Sequence, residues 1–115
     1  IRTVINNRPD GEAPDQLAAA EAKAAAEAAG LAYVHVPVRS GHMTPEDLKA
    51  FRRAVESFEG PYLAYCRSGT RSCHLWAFTA VKELPVDYVV AAAWTAGYDL
   101  HAMVPALQQA AREKA

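Results

Sequence analysis

Short apolar runs alternate with longer stretches of helical periodicity along this chain. Thr3–Asn6 (TVIN) is a β-branched apolar run that ends in Asn6-Asn7-Arg8-Pro9-Asp10-Gly11, a dense cluster of turn-forming residues. The alanine-rich stretch from Ala18 to Ala29, broken by Glu21, Lys23 and Glu27, predicts a helix, with Pro14 in its first turn and Gly30 at its C-terminal stop. Leu31–Pro37 predicts a second strand and Arg39–Met43 a loop. Thr44-Pro45-Glu46-Asp47 opens a helix in which Thr44 is the N-cap and Asp47 reaches back to it; Leu48, Phe51, Val55 and Phe58 then form one apolar stripe. Gly60-Pro61 ends that unit. Tyr62–Tyr65 predicts a third strand, buried to judge by its composition. After a loop at Cys66–Thr70, a helix is expected from about Arg71 to Lys82. Pro85 opens another helix ending near Gly97, and the tail from Asp99 predicts a short turn with a fresh helix start at Pro105.

Strands that alternate with helices imply a parallel sheet with right-handed crossovers. The predicted fold is therefore α/β and three-layered, a mainly parallel sheet flanked by helices, with a cysteine-bearing loop between strand and helix. In such sheets the functional loops lie beyond the carboxyl ends of the strands. That puts Asn6–Glu12, Arg39–Thr44 and Cys66–Arg71 on one rim. The 115 residues show no repeat and no linker, and they read as a single domain, 1–115. The chain begins directly on a strand-like segment at Ile1 rather than Met, so a preceding N-terminal segment is expected.

Composition narrows the function. An apolar fraction of 51% with 22% charged residues excludes wholesale disorder. A net charge of −1, from 12 basic and 13 acidic residues, gives no nucleic-acid footprint. There is neither a membrane-spanning apolar run nor a secretory signal pattern. Two cysteines, Cys66 and Cys73, are too few for a disulfide framework or a cysteine-built zinc site, so a reducing, cytoplasmic setting is expected. His35, His74 and His101 show no metal-ligand spacing; neither a metal nor a cofactor is predicted.

Chemistry concentrates in Cys66-Arg67-Ser68-Gly69-Thr70-Arg71-Ser72. A cysteine at the mouth of a helix faces first-turn N–H groups that have no intrahelical partner and the positive end of the helix dipole. Gly69 lets the backbone curl so that successive N–H groups converge into an anion-binding nest. Arg67 and Arg71 add permanent positive charge. All of this favours thiolate, making Cys66 the candidate nucleophile with Arg71 as its catalytic partner. Ser68, Gly69, Thr70 and Ser72 complete the cradle. Arg39, Asn7 and Arg8, on the other two rim loops, are candidate anion-binding residues, and Asp10 and His42 are candidate acids. Cys73 reads as a small apolar residue, with a resolving thiol as its alternative role. Trp76, Phe78, Trp94 and Tyr98 read as core or partner-facing aromatics.

CRSGTRS resembles the active-site loops of rhodaneses and of cysteine-dependent tyrosine phosphatases. VINNRPDGE at 4–12, AGLAYVHVPV at 29–38, GHMTPED at 41–47 and LAYCRSGTRS with LWA at 63–77 resemble, over nearly the whole chain, a bacterial family. That family is the beta-lactamase-hydrolase-like phosphatase-like domain, also treated as a sulfurtransferase family. The resemblance implies a fold similar to dual-specificity phosphatases and a further N-terminal segment. It also implies a persulfide dioxygenase or another sulfide-oxidising protein as partner.

Tyrosine phosphatases place five residues between cysteine and arginine, whereas four separate Cys66 from Arg71, as in short rhodanese loops. The loop Arg39–Met43 holds no Asp or Glu to serve as the phosphatase acid. Both points favour a thiol-dependent sulfurtransferase. A small anionic donor would pass sulfane sulfur to Cys66 as a persulfide, and a thiol acceptor would remove it. A phosphatase working through phosphocysteine is the alternative, and a non-catalytic anion-binding or thiol-switch module is a further one.

Overall fold

The structure, a computed structural model, describes residues 1–113. The chain forms two compact units, Ile1–Ser72 and Cys73 onward. In the first, three short strands, β1 (Thr3–Asn6), β2 (Ala32–His35) and β3 (Tyr62–Tyr65), form a parallel sheet in the order β2-β1-β3. Thr3 faces Ala32 and Tyr62 at one end, and Asn6 faces His35 and Tyr65 at the other. The β-branched β1 takes the centre, where Thr3 and Ile5 are buried. Helices α1 (Ala19–Ala28) and α2 (Pro45–Ser57) are the crossovers, so the α/β architecture with a parallel sheet is as the sequence predicts.

Local signals set the helix ends. Around Thr44 the capping box forms: its hydroxyl accepts from Asp47 N–H at 3.1 Å and Asp47 Oδ2 accepts from Thr44 N–H at 2.9 Å. Gly30, at φ +81°, ends α1, and Leu31 N–H returns to Ala26 O at 2.9 Å.

Three expectations need correction. Pro14 does not lie in the first turn of α1, which begins five residues later at Ala19. Residues 10–17 form turns instead: Gln16 binds Pro9 O and Glu12 N–H through its side chain, and Asp10 Oδ1 accepts from Ala19 N–H at 2.7 Å. Nor is β3 a buried strand, because it lies at the sheet edge, where Leu63 is 47% exposed. On α2 the buried positions are Phe51 and Ala54; Phe58 lies beyond the helix as its C-cap and is exposed.

Helix α3 (Thr70–Ala80) follows the Cys66 loop, and the second unit also holds α4 (Val86–Thr95), a single 3-10 turn (His101–Met103) and α5 (Val104–Arg112). Its core comprises Ala77, Val81, Val89, Val90, Ala93, Leu100 and Leu107. Pro85 and Pro105 stand at helix starts as expected, since the first turn needs no donor from proline. Lys82 Nζ donates to Ala110 O at 2.6 Å and to Glu113 O, meeting the free carbonyls at the end of α5.

At the carboxyl end of the sheet, Asn7 is fully buried and all of its polar groups are engaged. Its N–H donates to Tyr65 O at 2.7 Å and its carbonyl accepts from Val38 N–H at 3.0 Å. Its Nδ2 donates to Val36 O at 3.0 Å, and its Oδ1 accepts from Ser72 Oγ at 2.7 Å. Only a side-chain amide offers a donor and an acceptor at that reach. Asn7→Ala strands the Val36 carbonyl and the Ser72 hydroxyl. It is expected to destabilise the protein by about 2–3 kcal/mol, measured by urea denaturation.

Candidate active site

The loop that follows β3 folds around a sulfur atom. Gly69, at φ +89°, turns the backbone in a way that suits glycine, and its N–H donates to Cys66 Sγ at 3.1 Å. Burial pushes the Cys66 thiol up, but hydrogen bonds from the backbone N–H groups of Ser72, Ser68, Arg71 and Gly69 together outweigh it. The thiol is held below its ordinary value. The first turn of α3 supplies several of these donors, because its N–H groups have no partner within the helix. The Ser68 and Thr70 hydroxyls meet at 3.1 Å on the outer side of the loop.

Arg71, in the first turn of α3, interacts electrostatically with the same cysteine. A hydrogen bond to Glu12 raises its pKa against the effect of burial, and the negative charge and hydrogen bonding of Cys66 add to the rise. The guanidinium takes Glu12 end-on, with Nη1 to Oε2 at 2.8 Å and Nη2 to Oε1 at 2.9 Å, while Nη1 also donates to Val38 O at 2.8 Å. Arg8 Nε reaches Glu12 Oε1 at 3.1 Å. Side-chain exposures of 12% for Arg71, 22% for Glu12 and 17% for Arg8 make this a largely shielded network. The hydrogen bond from Arg71 holds the Glu12 carboxyl below its usual range; burial opposes it and Arg8 adds to it.

Glu12 is the residue that the sequence reading missed. A signal was present: Glu12 closes the rim loop that carries Asn7 and Arg8, and it is an acid on a rim whose strongest charges are arginines.

The remaining candidates divide into two groups. Asn7 and Ser72 are brought together with the Cys66 loop, but as buried partners of each other. Arg8 joins them through Glu12, and its backbone N–H and carbonyl are taken by Asn6 Oδ1 and His35 Nε2 at 2.9 Å each. Asp10 is committed to the first N–H of α1. Arg67, Arg39 and His42 are exposed, and among the described residues their side chains make no hydrogen bond or ion pair. Tyr65, next to the cysteine, is pushed up to about 12 by burial and then by the neighbouring Tyr33, so it stays protonated. Cys73 packs with the core of the second unit, and burial pushes its thiol up. No group of three or more His, Cys, Asp or Glu side chains could hold a metal ion among the described residues. Among the same residues, no helix is long and apolar enough to cross a membrane.

Known proteins resemble this chain to differing extents. The chain is 42% identical over 112 residues to the Beta-lactamase hydrolase-like protein of Xylella fastidiosa strain 9a5c, covering 96% of this chain and 26% of that one. The protein of the same name from Agrobacterium fabrum is 41% identical over 76 residues, 66% of this chain and 18% of its own length. The chain thus spans about a quarter, or less, of these curated relatives. A solved Neisseria meningitidis structure, named a "putative phosphatase", superposes with a TM-score of 0.80 at 38% identity, over 96% of this chain and 79% of that one. A Shewanella putrefaciens CN-32 structure at 23% identity and TM-score 0.68 shares the fold, over 100% of this chain and 71% of that one. The family described as "Beta-lactamase hydrolase-like protein, phosphatase-like domain" matches residues 1–82, and the chain belongs to that family.

Proposed function

We propose that the chain is a cysteine-dependent hydrolase of the phosphatase type, acting on small phosphate monoesters through Cys66. The observation that carries this reading is the loop curled around Sγ, with Gly69 N–H bonded to it at 3.1 Å and the backbone N–H groups of Ser72, Ser68 and Arg71 also favouring its thiolate. A ring of donors that favours a thiolate also suits the oxygens of a phosphoryl group bonded to it. Family membership and the Neisseria fold support phosphoryl chemistry. In the first step the Cys66 thiolate attacks phosphorus; an S–P bond forms, the ester P–O bond breaks, and the leaving oxygen takes its proton from water. Water then attacks phosphorus, the S–P bond breaks, and inorganic phosphate leaves with the thiolate restored. Arg71 would hold the equatorial oxygens in both steps, and the exposed Arg67 and Arg39 would draw the anion in.

A second reading, sulfur transfer, is favoured by two observations. Only four residues separate Cys66 from Arg71. Neither rim carboxylate is free to act as an acid, because Asp10 accepts from Ala19 N–H and Glu12 is held ionised by arginines. Here the thiolate attacks the outer sulfur of thiosulfate, the S–S bond breaks, sulfite departs, and a thiol removes sulfur from the Cys66 persulfide. In that role a persulfide-consuming enzyme in a reducing cytoplasm would be the natural partner.

Parallel turnover of an aryl phosphate and of thiosulfate with a thiol acceptor, in wild type and Cys66→Ser, separates the readings. Phosphate release that falls by about three orders of magnitude or more in the variant is expected. Sulfite release without phosphate release, lost in the variant, would establish sulfur transfer instead. Silence in both arms would leave an anion-binding or thiol-switch module.

The two cysteines give a second expectation. Thiolate is the reactive form, so a thiol shifted down reacts at lower pH and one shifted up at higher pH. Iodoacetamide at neutral pH should therefore label Cys66 well ahead of Cys73 in peptide mass mapping.

A further inference from the structure

A guanidinium has five N–H donors, and at Arg71 three of them are committed. Both hydrogens of Nη1 are used, one by Glu12 Oε2 and one by Val38 O, and one hydrogen of Nη2 goes to Glu12 Oε1. The two that remain are on Nε and Nη2. They share one edge of the planar group and point the same way, the arrangement that grips two oxygens of an oxyanion. The negative charge of Cys66, five residues earlier in the chain, acts on this same guanidinium.

Glu12 is held in turn. Arg8 Nε binds its Oε1 at 3.1 Å, and Gln16 Oε1 accepts from its backbone N–H at 3.1 Å. Gln16 is anchored to Pro9 O at 2.8 Å. The carboxylate is thus fixed by its own loop before it fixes Arg71, which lies 59 residues away in sequence.

We propose that Glu12 is a positioning residue for the reaction at Cys66, turning Arg71 so that its Nε–Nη2 edge faces the anion bound at the sulfur. The proposal rests on Cys66 being the nucleophile. It makes the occupant a multi-oxygen anion, a phosphoryl or sulfonate group, because a fork with two parallel donors is poorly matched to a single sulfur atom.

A carboxylate beside Arg71 has two opposed effects on the thiol. Its charge disfavours thiolate; its placement of Arg71 favours it. Positioning therefore predicts the opposite sign from simple charge. With Glu12→Ala, Arg71 loses its clamp, and the pH midpoint of Cys66 alkylation by iodoacetamide should rise. Efficiency in whichever turnover arm is active should fall roughly 10- to 100-fold, mainly through kcat, because a misplaced fork weakens transition-state more than ground-state binding. Glu12→Asp keeps the charge on a shorter arm and should recover part of both changes.

The experiment measures the alkylation midpoint by mass mapping in wild type, Glu12→Ala, Glu12→Gln and Glu12→Asp, with circular dichroism to check the fold. Glu12→Gln is nearly isosteric and serves if the alanine variant does not fold; it keeps one acceptor, so a smaller rise is expected. A midpoint that is unchanged or lower in folded Glu12→Ala or Glu12→Gln overturns the proposal and leaves Cys66 as the nucleophile. A wild-type midpoint at the ordinary thiol value overturns the nucleophile reading, and this proposal falls with it.

Discussion

One buried amide ties both ends of the reactive loop to the sheet. Asn7 N–H holds Tyr65 O, the last residue of β3, and Asn7 Oδ1 holds Ser72 Oγ in the first turn of α3. Everything between those two points, Cys66 through Arg71, spans a fixed gap. The same residue takes the carbonyl of Val36 and the N–H of Val38, so the exit from β2 is held as well. All three parallel strands thus end against a single residue, and the loops that follow them start from set positions. The N–H groups aimed at Cys66 are arranged before any anion arrives, which lets backbone dipoles act without reorganisation at the moment of reaction.

The charge balance at the sulfur follows from that rigidity. Burial alone would favour the neutral thiol, as it does at Cys73, seven residues along the chain. The two cysteines differ in what surrounds them: Cys66 is met by unpartnered N–H groups of a helix start, whereas Cys73 lies inside a helix whose N–H groups are already used. Arg71 adds to the stabilisation less freely than its formal charge suggests, because Glu12 answers that charge at close range. What the arginine keeps is direction. A neutralised but aimed fork favours an oxyanion by geometry, while the backbone cradle stabilises the thiolate.

The sequence was most legible where the cause of structure is local. The capping box at Thr44, the glycine stop at Gly30, the proline starts and the curl at Gly69 each depend on a few neighbouring residues, and each is present. The Cys66–Ser72 loop was legible for the same reason, as a strand-to-helix turn with its own sequence pattern. What the sequence hid depends on residues far apart along the chain. Pro14 fits a first helical turn, but the first N–H of α1 is taken by Asp10, nine residues upstream, and the helix waits until Ala19. Composition marks Tyr62–Tyr65 as apolar but cannot say that β3 lies on the sheet edge, because strand order is a property of the whole fold. Glu12 was passed over because its role exists only once two rim loops meet.

The commitment of both rim carboxylates constrains whatever the site does. Asp10 serves a helix start and Glu12 serves two arginines, which hold it ionised. Tyr65 is shifted too far up to give a proton readily at neutral pH. A leaving group at Cys66 must then depart without a proton from any of these three side chains. That requirement favours groups that are stable as anions, such as an aryl oxide, sulfite or a thiolate, over an alkoxide, whose departure depends on protonation. Phosphoryl and sulfur transfer, so different in their central atom, meet at this point: with Asp10, Glu12 and Tyr65 committed, each is favoured here by a donor whose leaving group already carries its charge well.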